Sequence, residues 1–258
     1  MSEPAHSPLL ELAGQAARKA GALLRTRHDA GSGDVVSSVG RDIKLESDKA
    51  AEALILDTLK VHSSIPILTE ESGAHGSVDS ADELWIVDPL DGSMNFNRGI
   101  PLVCISIALW RNGKPHLGVV YDFARDELFT AEAGRGAWLN GRRIHVSAVT
   151  AATAGVLMTG FPSKALMNDE AMAHFNTHVR SFKKVRMLGA AALMLSWVAC
   201  GRVDAYTEDD IMFWDVAAGL ALVEAAGGWI AYRPGSGKWQ YHVKAAATGS
   251  LFPGDTAK

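Results

Sequence analysis

Cysteine and basic residues are scarce in this sequence, and each shortage makes some classes of protein unlikely. Only two cysteines, Cys104 and Cys200, occur among the 258 residues. Both lie in apolar runs, so we expect them to pack in the core, and a disulfide between them has no support. Basic residues are also few: 25 lysines and arginines face 29 acidic residues, which gives a net charge of −4. Nucleic-acid-binding proteins usually carry a basic excess, so we expect no nucleic acid among the partners.

Long apolar runs are missing as well. No stretch approaches the ~18 apolar residues of a membrane-spanning helix, so we expect no membrane partner. The first residues lack the basic and apolar segments of a secretory signal, and we therefore predict a cytoplasmic location. Hydrophobic residues nevertheless make up 48% of the chain and charged residues 21%, as in an ordinary globular protein with a large core.

The spacing of apolar residues predicts an α/β chain. The predicted helices cover residues 9–28, 47–61, 169–180, 189–200 and 214–226. The predicted strands cover residues 84–87, 102–110, 117–121, 155–159, 184–187 and 203–206. Asn140-Gly141 predicts a hairpin turn, and Ser47 is the expected N-cap of the second helix. We predict two intimately joined halves, residues 1–150 with most of the motifs and residues 151–258.

Two carboxylates follow the apolar strand at residues 84–87. Asp88 comes directly after this strand, and Pro89 cannot continue a regular hydrogen-bond ladder, so the chain is expected to turn there. Asp91 follows three residues later, and Gly92 would let a ligand approach the backbone closely. Two carboxylates held so close together need a cation. The same composition, D-P-x-D-G, is also common in purely structural turns.

Other oxygen donors can join this pair. Glu70 and Glu71 follow the apolar segment IPIL, and carboxylates with few histidines suit Mg²⁺ better than zinc. The backbone N–H groups of residues 92–95 could receive a phosphate oxygen, and Ser93 adds a hydroxyl. Together these groups suggest phosphate-ester hydrolysis. Taken singly, Glu70-Glu71 could be a solvated pair, and Asp215 could be a helix-dipole partner.

These motifs resemble the inositol monophosphatase family of Mg²⁺-dependent, lithium-sensitive phosphomonoesterases. The family signature D-P-[IL]-D-G-[ST] is met by residues 88–93, followed by Asn95-Phe96, and the late signature W-D-x-A-[AG] by residues 214–218. Glu70-Glu71-Ser72 and an early aspartate, Asp48, complete the match. The resemblance covers nearly the whole chain and implies a layered αβαβα sugar-phosphatase fold and a homodimer.

The resemblance also implies roles for individual residues. Two to three Mg²⁺ ions would be held by Glu70, Asp88, the Leu90 carbonyl, Asp91 and Asp215. Water activated by the metal would attack in line, oriented by Glu70 and Ser93, and Asp48 would support the metal site. The residues implied in binding substrate are the amides of Gly92, Ser93 and Met94, the backbone of Gly189, Ala190 and Ala191, and the side chains of Asp91, Glu208 and Asp215.

The chain departs from the family pattern at several positions. Ser93 replaces the commoner threonine, Thr69 stands where glycine is usual, and Ala190 replaces a frequent threonine. Glu208-Asp209-Asp210 is more acidic than the family segment, so we expect a polyhydroxylated or amine-bearing leaving group. A P-loop at residues 233–239 is rejected because the first glycine and the final hydroxyl residue are missing, and this segment is expected to be a surface turn.

The sequence therefore predicts a Mg²⁺-dependent phosphatase acting on a small phosphorylated substrate, with inositol 1-phosphate or a similar polyol or sugar phosphate as the leading choice. Histidinol phosphate and a 3′-nucleotide are alternative substrates within the same fold. A third alternative belongs to a different class: a non-catalytic regulatory protein that keeps the fold and contacts RNA polymerase or another partner.

Overall fold

The computed structural model of the chain describes residues 7–29, 35–39, 42–161 and 168–253. Its helices are α1 (Pro8–Asp29), α2 (Glu46–His62), α3 (Ser93–Asn97), α4 (Asp169–Ser181), α5 (Ala191–Ala199) and α6 (Phe213–Ala225). Its strands are β1 (Val35–Val39), β2 (Asp42–Leu45), β3 (Ile67–Thr69), β4 (Gly73–His75), β5 (Glu83–Asp91), β6 (Cys104–Arg111), β7 (Lys114–Asp122), β8 (Glu127–Glu132), β9 (Gly136–Leu139), β10 (Arg142–Ile144), β11 (Val156–Thr159), β12 (Lys184–Arg186), β13 (Ala205–Met212), β14 (Trp229–Pro234) and β15 (Gln240–Ala246).

The strands form two large sheets and one hairpin. The eight-stranded sheet has the order β10-β9-β8-β7-β6-β5-β3-β4, and its strands pair antiparallel except for β3 and β5, which run parallel. The five-stranded sheet has the order β12-β11-β13-β15-β14, with β11 parallel to both of its neighbours. Strands β1 and β2 pair as a separate hairpin. All strands of the eight-stranded sheet precede residue 150 and all strands of the five-stranded sheet follow it, while the division into two halves stays a prediction.

The layers alternate between helix and sheet. Helices α1 and α2 bury apolar side chains, among them Ala17 and Ile55, against one face of the eight-stranded sheet. Helices α5 and α6 fill the space between the two sheets and share one core with both. The outer face of the five-stranded sheet packs against Phe182 and Phe252, and His178 of α4 contacts the Phe252 ring. The αβαβα architecture is therefore confirmed.

The two central helices approach each other unusually closely. A Cβ atom added at Gly219 of α6 would overlap the side chain of Leu195 of α5, so only glycine fits there. Nearby, a Cβ at Gly118 of β7 would overlap the backbone of α6 at Ala218. Helix α6 is thus locked against both α5 and the eight-stranded sheet.

Several boundaries differ from the prediction. Helix α2 begins at Glu46 with Leu45 as its N-cap, so the choice of Ser47 as the cap was wrong. Strand β5 continues through Pro89 to Asp91, so the turn falls at Gly92 and not at Pro89. Strand β13 extends to Met212, well past the predicted end. Strands β8, β14 and β15 lacked a clear apolar pattern and were not predicted.

The predicted hairpin turn and surface turn are confirmed. Asn140 and Gly141 both have positive φ and join β9 to β10, as a two-residue hairpin turn requires. The segment predicted as a surface turn connects β14 to β15. Both cysteines are free thiols. Among the described residues, no helix is long and apolar enough to cross a membrane.

Candidate active site

Three carboxylates meet where β3, β5 and α6 come together. Because β3 runs parallel to β5, the two strands deliver Glu70 and Asp88 to the same edge of the sheet, and the Glu70 N–H donates to the Val87 carbonyl at 3.2 Å. Asp215 lies in the first turn of α6. One oxygen from each of Glu70, Asp88 and Asp215 lies within 4.8 Å of the other two. The structure thus brings together three residues that are far apart in sequence.

An irregularity in β5 adds Asp91 to the same side of the sheet. Asp88 pairs with Ser106 and Asp91 pairs with Cys104, so three steps along β5 match two steps along β6. In a regular strand, residues three apart point to opposite faces, and one extra residue reverses that parity. Both carboxylates therefore face α5 and α6. Pro89 lies within this bulge, where its missing N–H does not interrupt a regular ladder.

The electrostatics of the cluster favour a bound cation. Asp88 is only 1% exposed. Its burial, together with the charges of Glu70, Asp91 and Asp215, raises the pKa of Asp88 well above the ordinary value. Burial also raises the pKa of Asp91 to about 7, although hydrogen bonds to its carboxylate oppose this rise. A divalent cation would relieve this repulsion, and a donor set made only of oxygens suits Mg²⁺.

Gly92 makes the tight turn between β5 and α3 possible. Its φ is +95°, in the left-handed region, and an added Cβ would lie 2.8 Å from the Leu102 carbonyl oxygen. The turn exposes the first N–H groups of α3, which have no acceptor within the helix. Met94 is 45% exposed, and its neighbour Asn95 donates to the carbonyls of Leu102 and Leu188, both at 2.8 Å. Asn95 thereby ties this turn to the segment before α5.

Ser93 and Asp48 lie side by side behind the carboxylates. The Ser93 hydroxyl can donate to the Leu90 carbonyl at 3.0 Å or to the Asp48 carboxylate at 3.4 Å. Asp48 is buried and also accepts a hydrogen bond from the Leu45 N–H at 2.7 Å, which closes the first turn of α2. The Leu90 N–H in turn donates to Asp88 at 2.9 Å. The structure therefore connects Asp48 to the site through Ser93.

The residues of the second half that are expected to contact substrate differ in exposure. Gly189 is exposed before α5, whereas Ala190 and Ala191 are 1% and 5% exposed. At the start of α5, the Ala192 N–H donates to the Asp91 carboxylate at 2.7 Å. One of the free amides of this helix start therefore orients Asp91, and the substrate contacts of residues 189–191 stay a prediction.

The acidic segment of β13 does not act as one group. Glu208 is 6% exposed, and burial together with the charge of Asp91 raises the pKa of Glu208 to about 8. His242 instead lies between Asp209 and Asp210. Its Nδ1 is 2.7 Å from the Asp209 carboxylate, and its Nε2 is 3.7 Å from the Asp210 carboxylate. Glu208 thus interacts with a carboxylate of the site, and a role of this segment in selecting the leaving group stays a prediction.

The sequence analysis missed Glu52. This side chain is 5% exposed and accepts hydrogen bonds from the Thr69 hydroxyl at 2.7 Å and from the Glu71 N–H at 3.1 Å. It therefore holds the loop that carries Glu70. The signal was present in the sequence, because Asp48 and Glu52 are four residues apart on the apolar stripe of α2. The same contact explains why threonine stands at position 69, where glycine is usual, because its hydroxyl donates to Glu52.

Cys104 has a second role beside core packing. Its thiol lies 3.6 Å from the Asp91 carboxylate and donates to it. Burial and the nearby charges of Asp91 and Asp88 raise the pKa of the Cys104 thiol well above the ordinary value, so it stays protonated as a donor. Asp91 is thus held by backbone amides at the start of α5 and by one thiol.

The layered α/β fold gathers three carboxylates into a group that could hold a metal ion. The sequence model of the inositol monophosphatase family matches residues 5–252, and the chain belongs to this family, whose members are generally Mg²⁺-dependent. Among similar solved structures is an inositol monophosphatase from Anabaena (Nostoc) sp. PCC 7120, with 36% identity, a TM-score of 0.79 and coverage of 94% of this chain and 92% of that one.

Relatives with a different name are also similar. The extragenic suppressor protein suhB from Bartonella henselae has 33% identity and a TM-score of 0.84, with 96% of this chain and 100% of that chain covered. The protein called Nus factor SuhB from Escherichia coli strain K12 is 42% identical over 226 residues, which covers 86% of this chain and 84% of the relative. The family therefore includes both enzymes and proteins named as Nus factors.

The raised pKa of Glu208 leads to a pH-dependent stability. Its folded pKa of about 8 exceeds the unfolded value of about 4.3, so the folded state binds the proton more tightly. Stability from this group is present at low pH and is lost as the pH rises through about 8. In the metal-free protein we expect Glu208→Gln to lose less thermal stability between about pH 5 and pH 9 than the wild type.

Melting temperatures measured in chelator across this pH range would check the effect of Glu208→Gln. Glu11→Gln is a suitable control, because Glu11 is exposed on α1. Parallel pH curves for Glu208→Gln and the wild type would contradict the assignment.

Proposed function

We propose that the protein is a Mg²⁺-dependent phosphomonoesterase that hydrolyses a small polyol or sugar phosphate, with inositol 1-phosphate as the leading substrate. The observation that carries this proposal is the convergence of Glu70, Asp88 and Asp215 on one point, with Asp91 on the same side of the sheet. The raised pKa values of Asp88 and Asp91 favour a bound cation, and the residues lie beside a turn with exposed amides. Family membership supports the same chemistry.

We infer that Glu70, Asp88, the Leu90 carbonyl, Asp91 and Asp215 hold two to three Mg²⁺ ions. When bound, these ions supply the positive charge that lowers the pKa of water and offsets the charge on the phosphate. Ser93 and Glu70 orient the attacking water, and Asp48 fixes the direction of the Ser93 hydroxyl. The amides of Gly92, Ser93 and Met94 hold the phosphate oxygens. Glu208 and the backbone around Gly189 bind the hydroxyl groups of the leaving alcohol.

Replacing Ser93 by alanine tests its orienting role. We expect kcat to fall by about a hundredfold, in the range of a positioned proton-transfer group, with a much smaller change in KM. Ser93→Thr keeps the hydroxyl and should restore most of kcat. Steady-state phosphate release by the Mg²⁺-loaded protein measures both constants. A rise in KM with an unchanged kcat would instead indicate that Ser93 only binds substrate.

Phosphate release from a panel of monoesters tests the activity itself. The panel should contain inositol 1-phosphate, sugar phosphates, histidinol phosphate and 3′-nucleotides, each with Mg²⁺ and with chelator. We expect Mg²⁺-dependent release, fastest with the polyol phosphates. A nucleoside bisphosphate is added to the panel as a test of the substrate class, because the Glu208 carboxyl group disfavours a second phosphate. Preference for this compound over every monoester would overturn the substrate class.

A regulatory function is the second candidate, favoured by the relatives named Nus factor SuhB. On this view the protein would bind RNA polymerase or another partner and keep the fold without turnover. The two candidates are separated by the panel: release from none of the monoesters, by protein that still binds Mg²⁺, would favour the binding protein. The free thiols Cys104 and Cys200 fit a reducing compartment, and the cytoplasm stays our predicted location.

We further propose that the protein is a homodimer. Three large apolar side chains, Met94, Ile100 and Met187, are 45%, 41% and 51% exposed, and Asn95 links their segments through hydrogen bonds. A second copy of the chain would cover this surface. We expect Met187→Glu to convert the dimer to a monomer in light scattering. Val61→Glu, at a residue 74% exposed on α2, should leave the dimer intact. Inhibition by lithium also stays a prediction.

A further inference from the structure

A second cleft opens on the side of the molecule where α6 ends. It lies between the start of β7, the turn from β8 to β9, the last turns of α6 and the start of β14, and it has a volume of about 590 Å³. Clefts of about 300–1,000 Å³ commonly bind small molecules. Its lining residues include Lys114, His116, Glu224, Ile230 and Tyr232. None of these residues belongs to the carboxylate site.

The strand pattern aims His116 into this cleft. His116 is the extra residue of a bulge in β7, since Leu109 pairs with Leu117 and Trp110 with Pro115, and from this bulge it lines the cleft. The opposite wall is apolar, because Tyr232 packs edge-on against Trp110 and its hydroxyl donates to the Gly113 carbonyl at 3.2 Å. The cleft therefore combines a polar side on β7 and α6 with an apolar side on β14.

Lys114 and Glu224, which carry opposite charges, both line the cleft. Burial raises the pKa of Glu224 and the charge of Lys114 partly opposes this rise, yet the two side chains do not form an ion pair. Within the part of the chain that the structure describes, the side chains of Lys114, His116 and Glu224 make no hydrogen bond. Glu224 and Lys114 are thus available to a ligand that carries both charges.

The surroundings of the cleft shift the pKa of two of these groups. Burial raises the pKa of Glu224 above its ordinary value, and it lowers the pKa of His116 with help from the charge of Arg111. The more distant charges of Glu132 and Glu83 oppose the shift of His116. A neutral imidazole offers one donor and one acceptor, so His116 can bind a polar group of either kind.

We propose that this cleft binds a small zwitterion with an apolar body, such as an α-amino acid or a short peptide. Its ammonium group lies on Glu224, its carboxylate on Lys114, and its apolar body against Pro115, Ala225 and Ile230. Charge-assisted hydrogen bonds at both ends give the site its selectivity. The volume exceeds that of one amino acid, which leaves room for a second residue or for water. This proposal is independent of the proposed phosphatase activity.

Three probes with one common body separate the possible ligand classes. L-Phenylalanine carries both charges, 3-phenylpropanoate carries only the carboxylate, and 2-phenylethylamine carries only the ammonium group. Binding to the full-length, Mg²⁺-loaded protein is measured by ligand-detected NMR titration. We expect L-phenylalanine to bind at least about tenfold more tightly than either singly charged probe, since each loses one charge-assisted contact. Equal affinities, or no binding of L-phenylalanine, would overturn the proposal.

Two variants assign the ends of the ligand. We expect Glu224→Gln to weaken the binding of L-phenylalanine by about tenfold and to leave the affinity for 3-phenylpropanoate unchanged. Lys114→Met should weaken the binding of L-phenylalanine and of 3-phenylpropanoate and leave the affinity for 2-phenylethylamine unchanged. Asp57→Asn and Lys19→Met are matched controls, because both residues are exposed on helices across the eight-stranded sheet. Undiminished L-phenylalanine binding in both Glu224→Gln and Lys114→Met would place the ligand elsewhere and refute the assignment.

Discussion

Replacing Asp88 by asparagine is expected to reduce phosphate release by about a thousandfold or more, because metal-based charge stabilisation supplies several kcal/mol and each ~1.4 kcal/mol is a factor of ten. Asp88 is the most enclosed acid of the cluster, and three other carboxylates raise its pKa. The amide keeps the size of the side chain while it removes the negative charge. The fold should therefore persist while the affinity for Mg²⁺ falls.

Activity and the shift in melting temperature on addition of Mg²⁺ together check this result. The wild type should be stabilised by Mg²⁺, and Asp88→Asn should show a much smaller shift. In chelator the variant should melt no lower than the wild type, because the carboxyl group that it removes has a raised pKa. Glu83→Gln is the matched control, because Glu83 lies at the far end of the same strand and pairs with Arg111. Near-normal turnover by Asp88→Asn would refute the metal assignment.

Replacing Gly92 by alanine is expected to affect both stability and activity. The substitution forces a Cβ into a φ of +95° and places it 2.8 Å from the Leu102 carbonyl oxygen. Backbone strain alone costs about 1–3 kcal/mol, and the contact with Leu102 adds to it. Because the turn also positions Ser93 and the first amides of α3, we expect turnover to fall by at least about tenfold, since small misplacements of reacting groups are costly.

Gly99→Ala separates the strain from the contact. Gly99 also has a positive φ, +65°, but an added Cβ would meet no atom within 4 Å. We expect this variant to lose about 1 kcal/mol of stability and to keep its activity. Chemical denaturation and phosphate release measure the two effects. If both variants lost the same stability and Gly92→Ala stayed active, the close approach at Leu102 would be unimportant.

Much of the fold could be predicted from apolar spacing. Helices α1, α5 and α6 and strands β5, β6 and β7 carry long apolar patterns, and the structure has them close to the predicted positions. Strands β14 and β15 could not be predicted in this way, because their side chains are mostly half-buried and their residues alternate weakly. Their pairing depends on contacts with distant parts of the chain, which no local pattern records.

The candidate site was predictable in its residue types but not in its geometry. The motif around Asp88 and Asp91 identified the acids, yet the sequence suggested a turn at Pro89 where the structure has a bulged strand. Only the register of β5 against β6 shows why both carboxylates face the same way. The position of Glu52 on the apolar stripe of α2 was visible in the sequence, but its partners were not. They are the Thr69 hydroxyl and the Ser72 N–H, 17 and 20 residues away.

Helix α6 extends from the carboxylate site to the second cleft. Asp215 lies in its first turn and Glu224 near its end, a separation of about 14 Å at 1.5 Å per residue. The helix packs closely against α5 at Gly219 and against β7 at Gly118. Where binding at one end of a helix changes binding at the other, the coupling is reciprocal. The factor by which the zwitterion changes the affinity for Mg²⁺ must equal the factor by which Mg²⁺ changes the affinity for the zwitterion.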